Sequence, residues 1–124
     1  MDFKRFKEYR RLKIKHGVAD IDLCLLAEHL ESLIEKKNIK ILNKVYIPII
    51  LRGFKYKLSN GMIIKLYYKI DWYGINEEIV LKFLSKNIKE EISCPDINQN
   101  TFELKHKEDY ENIINFLLNG GTDE

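Results

Sequence analysis

The chain has 124 residues, 45% of them hydrophobic and 32% charged, with a formal net charge of +2. That balance excludes a disordered or fibrous class and suits one domain, residues 1–124, large enough to bury a core without disulfide or metal staples. Cys24 and Cys94 stand in no metal-like spacing and read as reduced thiols of a cytoplasmic protein without cofactors.

Residues 1–16 hold seven Lys or Arg against Asp2 and Glu8. They are expected to form a basic N-terminal helix over 2–15, with Asp2 as N-cap and Gly17 as its stop. Phe3, Phe6, Tyr9 and Ile14 share a broad arc with Arg10 and Lys13. Arg5, Arg10 and Arg11 interleaved with aromatics could track a phosphate backbone. The same pattern suits a solvated helix that packs Phe3 and Phe6 on the core. From Asp20 to Lys37 the helical period is clear: Leu23, Leu26, Ala27, Leu30, Leu33 and Ile34 make one stripe, with Glu28, Glu31, Ser32 and Glu35 opposite. His29 at the stripe's border reads as structural. Lys44 to Leu51 is β-branched and carries Pro48, so a strand is expected there, edge or bulged. Both its faces want cover, from the chain itself or from a second copy in a homodimer through Val45–Leu51. The longest apolar run, Val45 to Leu51, is far below the roughly 20 residues needed to span a bilayer, and no apolar stretch follows the charged N-terminus as in a signal peptide. No membrane partner is therefore expected.

Gly53 to Asp71 reads as a β-hairpin turning at Asn60-Gly61. A two-residue loop would mix lysines and apolar residues on both faces. A three-residue loop of Ser59, Asn60 and Gly61 pairs Leu58 with Met62 and puts Phe54, Tyr56, Leu58, Met62, Ile64, Leu66, Tyr68 and Ile70 on one face. The other face then carries Lys55, Lys57, Ile63, Lys65, Tyr67, Lys69 and Asp71. Because a one-residue slip inverts every side chain, the three-residue register is the expected one. Gly61 sits where such a loop needs a left-handed residue.

Trp72-Tyr73-Gly74 is expected to turn into a helix from Asn76 to about Ile92, with Ile75 and Val80 as a hydrophobic staple. A loop over 93–100, a short strand from Thr101 to Lys105 and a helix near Lys107 to Asn119 follow, the last stopped by Gly120-Gly121 before a tail at 121–124. The order is ααβββαβα. This is an α+β fold with an antiparallel sheet of 3–4 strands and helices packed mainly on one face.

The feature bearing most on function is the hairpin's second face, where Lys55 would oppose Lys65 at a cost in repulsion, beside Lys57, Lys69 and the ring of Tyr67. Lysines with an aromatic between them can take phosphates while a base stacks, and can equally meet an acidic protein surface. Alternating lysines also serve simply to keep a sheet soluble. The expected class is a small non-catalytic binding, regulatory or inhibitor module. It would engage nucleic acid or an acidic protein through this face, with Arg5, Arg10 and Arg11 as auxiliary contacts. One alternative is a protein-interaction module using Ile63, Tyr67 and the apolar edge strand.

A second alternative is enzymatic. Pro95-Asp96 followed by Glu103-Leu104-Lys105 resembles, over about 11 residues, the signature of PD-(D/E)xK nucleases. The resemblance implies Asp96 and Glu103 as ligands of a divalent metal and Lys105 beside the attacking water. Arg11 and His16 resemble in spacing the Arg-x4-His motif of the all-helical HEPN ribonucleases. Cys94 and His106 lack the paired ligands of a zinc site, and the chain has no glycine-rich phosphate loop.

Overall fold

In the computed structural model, which describes residues 3–71, 73–74 and 76–121, the chain runs α1 (Phe3–His16), α2 (Ile21–Lys36), β1 (Ile41–Ile47), β2 (Gly53–Leu58), β3 (Ile63–Ile70), β4 (Glu77–Leu84), β5 (Lys89–Ser93), β6 (Ile97–Asn98), β7 (Glu103–Leu104) and α3 (Lys107–Leu118). Strands β1 to β5 form one antiparallel sheet in chain order, and β6 and β7 a separate two-stranded ribbon. The class is α+β, with more strands than the sequence suggested.

The β2–β3 hairpin has the three-residue register. Lys55 faces Lys65, Tyr56 faces Ile64, and the Leu58 N–H donates to the Met62 carbonyl at 2.9 Å. Asn60 Oδ1 accepts from the Met62 N–H at 3.0 Å, and Gly61 closes the turn at φ +89°. Phe54, Tyr56, Leu58, Met62, Ile64 and Leu66 are buried as expected, whereas Tyr68 is half-buried and Ile70 exposed. The reason is length: β3 runs past the end of β2, so Tyr68 and Ile70 pair only with β4.

Helix α2 is capped by Asp20, whose side chain accepts from the Leu23 N–H at 3.0 Å, and it lays its whole expected stripe into the core. Helix α3 adds Tyr110, Ile114, Leu117 and Leu118 to the same cluster, while Ile113 stays exposed. Helix α1 packs on α2. It buries Leu12 and His16, and its Phe3, Phe6 and Ile14 face solvent instead of the core.

The helix expected from Asn76 to Ile92 is instead the β4–β5 hairpin, turned at Ser85–Ile88 by a bond from the Ser85 N–H to the Ile88 carbonyl at 2.8 Å. Strand β4 lies between β3 and β5 and buries Leu81 and Phe83 on one face and Val80 on the other. A strand buried on both faces reads as a continuous apolar run with no clean period of two. Glu77 and Glu78 pair with Ile70 and Lys69 across the sheet. The Asp2 cap, Trp72 and the Ile75 half of the staple lie outside the described residues.

Two further boundaries move. The Lys44–Leu51 strand begins earlier, at Ile41, and ends before Pro48, so 48–51 is a turn leading to Arg52 at φ +50°. Strand β1 is both an edge and bulged, with the irregularity between Ile41 and Asn43. The Thr101–Lys105 strand shrinks to β7, because Phe102 turns out at φ +58° and packs edge-on against Tyr9 of α1, with ring centroids 5.4 Å apart.

Candidate functional site

Register decides what the sheet shows on the side away from α2. Val45 faces Lys55, Lys55 faces Lys65, Lys65 faces Lys82, and Lys82 faces Glu91, so one row across the five strands carries three adjacent lysines. Below it lies the row Lys57, Ile63, Leu84 and Lys89, and above it Gly53, Tyr67, Val80 and Ser93. Directly opposed side chains in such rows stand about 4.5–5.5 Å apart at Cβ, close enough for like charges to repel. Lys55, Lys65 and Lys82 are half-buried among their neighbours, and Lys57 and Lys89 are exposed. Among the described residues these five make no ion pair.

Two residues expected on this face are already engaged. Lys69 Nζ lies 2.7 Å from Glu91 Oε2, and the Tyr67 hydroxyl donates to Glu91 Oε1 at 2.5 Å. Burial, helped by the bond to Glu91, pushes the Tyr67 phenol up to about 12. The hydrogen bonds from Lys69 and Tyr67 hold the Glu91 carboxyl below its ordinary range, and Glu91 in turn raises the Lys69 ammonium. Asp71 caps the β3–β4 turn, accepting from the Tyr73 N–H at 3.1 Å and from Asn76 Nδ2 at 2.8 Å. Gly53 must lack a side chain: a Cβ there would stand 2.0 Å from the Leu66 carbonyl oxygen and 2.6 Å from Tyr67 Cα.

The sequence located Lys55, Lys57 and Lys65 on this surface but missed Lys82 and Lys89, which it had assigned to a helix. The run Ile79–Leu84 is apolar except at Lys82, so no period of two marked the strand that carries Lys82. The arginines of α1 do not join the face, because α1 packs on the helical side. Arg11 bonds Glu8 and reaches Glu28 Oε2 at 2.6 Å, and Arg5 lies over the Tyr9 ring at 5.8 Å. Arg10 is exposed beside a groove of about 610 Å³ lined also by Phe6, Tyr9 and Lys13.

A second polar constellation was not foreseen. Lys44 of β1 points into the molecule, its Nζ 2.7 Å from Glu31 Oε2 and 2.7 Å from His16 Nδ1, and 4.7 Å from the centre of the Phe54 ring. The Tyr56 hydroxyl donates to the same Glu31 oxygen at 2.7 Å. An ammonium only donates, so Nδ1 accepts and the His16 proton sits on Nε2, 3.9 Å from Glu28 Oε1. Burial and the adjacent Lys44 charge lower the His16 pKa, against the opposing pull of Glu31 and Glu28. Burial raises the Glu28 carboxyl, but Arg11 and Lys15 together outweigh it and hold the group at about 2. Outside this cluster lies a groove of about 730 Å³ lined by Lys15, Glu28, Glu31, Ser32, Glu35 and Lys40.

The motif residues resolve differently. Arg11 is held by acids, and His16 faces Lys44 in the interior. The Lys105 N–H donates to the Asp96 carbonyl at 3.0 Å and Glu103 pairs with Asn98, which brings Asp96, Glu103 and Lys105 to one exposed side of the ribbon. Among the described residues no three His, Cys, Asp or Glu side chains are grouped to hold a metal ion, and no helix is long and apolar enough to cross a membrane. Comparison with known families, with characterised proteins and with solved structures finds no match to this chain.

Proposed function

We propose that the chain is a non-catalytic binding module whose open sheet face takes an acidic surface of another protein. The observation that carries this reading is the row Lys55, Lys65 and Lys82, abreast on three neighbouring strands with no carboxylate between them, the one at the row's end, Glu91, being taken by Lys69 and Tyr67. Such an arrangement raises the energy of the isolated protein and is relieved when acidic groups settle over it. An acidic protein suits the face better than nucleic acid does. Its aromatic ring, Tyr67, is tethered to Glu91 and is no free platform for a base, and Glu78 and Glu91 on the same face would repel phosphates. Ile63 and Leu84 in the adjoining row give a protein partner apolar area between the charges. By covering an acidic site on its partner, the module acts as a regulator or inhibitor.

The test uses Lys65→Glu and the triple substitution Lys55→Glu, Lys65→Glu, Lys82→Glu in affinity purification from the native cell, recording both protein and nucleic acid. The wild type is expected to retain an acidic protein in a salt-sensitive manner, and both variants to lose it. Retention of the same partner by the triple variant, or retention of nucleic acid alone, would refute the reading.

A further inference from the structure

We propose that β1 pairs antiparallel with the β1 of a second copy of this chain, joining two sheets into one about a two-fold axis normal to the sheet and passing near Val45. This does not rest on the function proposed above. The two free edges of the sheet are unlike. Strand β5 has three charged residues in five, Lys89, Glu90 and Glu91, which is how natural edges resist pairing. Strand β1 has one, Lys44, and its ammonium is turned inward to Glu31 and His16. The outer edge of β1 therefore offers unpaired backbone groups with no charge to guard them.

The occupant follows from self-complementarity. The irregularity at Leu42 limits regular pairing to Asn43–Ile47, and a two-fold through Val45 sets Asn43 against the partner copy's Ile47, and Val45 against its own equivalent. Large exposed apolar groups flank this segment at both ends: Leu42 is 67% exposed, Ile49 86% and Ile50 94%. The two-fold brings the Pro48–Leu51 turn of each copy beside Leu42 of the other, so groups that are stranded in one chain cover each other in two. Charge does not oppose this. The Lys55 side chains of the two copies are three strand spacings apart, about 14 Å, beyond a screening length of about 8 Å at physiological salt. A charged partner would find no counter-charge on this edge, whereas a neutral copy of the edge matches it. In such a pair both lysine rows lie on the same side of the joined sheet.

Sedimentation equilibrium of the full chain over a dilution series reads the proposal. The wild type is expected to move from twice the chain mass to the chain mass on dilution. Leu42→Asp and, independently, Ile50→Asp in the exposed turn should each weaken association about tenfold or more while leaving the unfolding midpoint of the monomer in place, since both side chains are exposed in the single chain. Lys65→Glu should leave association unchanged, which separates this outcome from failure of the proposed function. A wild type that is monomeric throughout the series, or a dimer indifferent to both edge substitutions, overturns the proposal.

Discussion

Replacing Glu31 by Leu removes the acceptor shared by Lys44 Nζ and the Tyr56 hydroxyl, each 2.7 Å from the same oxygen. Breaking a fully buried ion pair by deleting one partner costs about 3–5 kcal/mol, because the other charge is stranded. Here the side chains of Lys44 and Glu31 keep 23% and 19% of their exposure, so the ammonium can partly rehydrate and the pair belongs at the bottom of that range or below. Tyr56 is fully buried, and its orphaned hydroxyl adds about 1–2 kcal/mol. The expected loss for Glu31→Leu is thus about 3–4 kcal/mol, and for Lys44→Met about 2–3 kcal/mol, since the carboxylate keeps the Tyr56 bond. In the double variant neither charge remains, and its loss should fall short of the sum of the two by about 2 kcal/mol. Urea unfolding of the four proteins measures this coupling. Additivity within about 0.5 kcal/mol would show that Lys44 and Glu31 do not act as a unit.

Gly53→Ala and Gly61→Ala should separate two roles of glycine. At Gly61 a Cβ meets nothing within 4 Å and only the positive φ is strained, for a cost of about 1 kcal/mol, whereas at Gly53 the Cβ meets the Leu66 carbonyl at 2.0 Å and the cost should reach about 3 kcal/mol; equal midpoints in urea would contradict this. Acid should destabilise the fold in two steps. His16 and His29 titrate below their ordinary 6.5 in the folded state, so the unfolded chain binds more protons and the stability they contribute is lost as pH falls below that value. Glu28, held at about 2, contributes stability that is present above its ordinary 4.5 and is lost between the two. A stability profile flat from pH 7 to 5 in the wild type would refute the histidine step. Lys65→Glu sets an acid between Lys55 and Lys82 and should raise stability by about 1 kcal/mol while abolishing partner binding; a stability loss would mean that no repulsion was present.

Local rules carried much of the fold. Gly17 as stop, the α2 stripe and the three-residue hairpin loop are each decided within a few residues, and each stands where the sequence puts it. The stretch from Glu77 to Ser93 reads as a helix because β4 carries apolar residues on both faces, and only its pairing with β3 and β5 reveals the strand. The candidate site was legible to the same extent. Lys55 and Lys65 face each other within one hairpin, so register alone found them, whereas Lys82 joins them through the β3–β4 pairing, which the helix assignment had removed. The cluster of His16, Glu31, Lys44 and Tyr56 draws on four elements 13 to 28 residues apart, and no local spacing announces it.

Under the proposed binding role, solubility is an incomplete account of the lysines on the open face. A sheet face is kept soluble and monomeric by charges of both signs interspersed, which also bind one another across strands. The chain follows that rule at one end of the face, where Glu91 takes Lys69 and the Tyr67 hydroxyl, and Glu78 accepts from Ser93 at 3.1 Å. It breaks the rule further along the row of Glu91, where Lys55, Lys65 and Lys82 are abreast with no acid between them. One glutamate at position 65 would satisfy solubility and pairing together, so the lysine there costs stability that solubility does not require. The repulsion is removed when carboxylates from another molecule lie across the row, and the part of the surface left unpaired is the part on which the partner should dock.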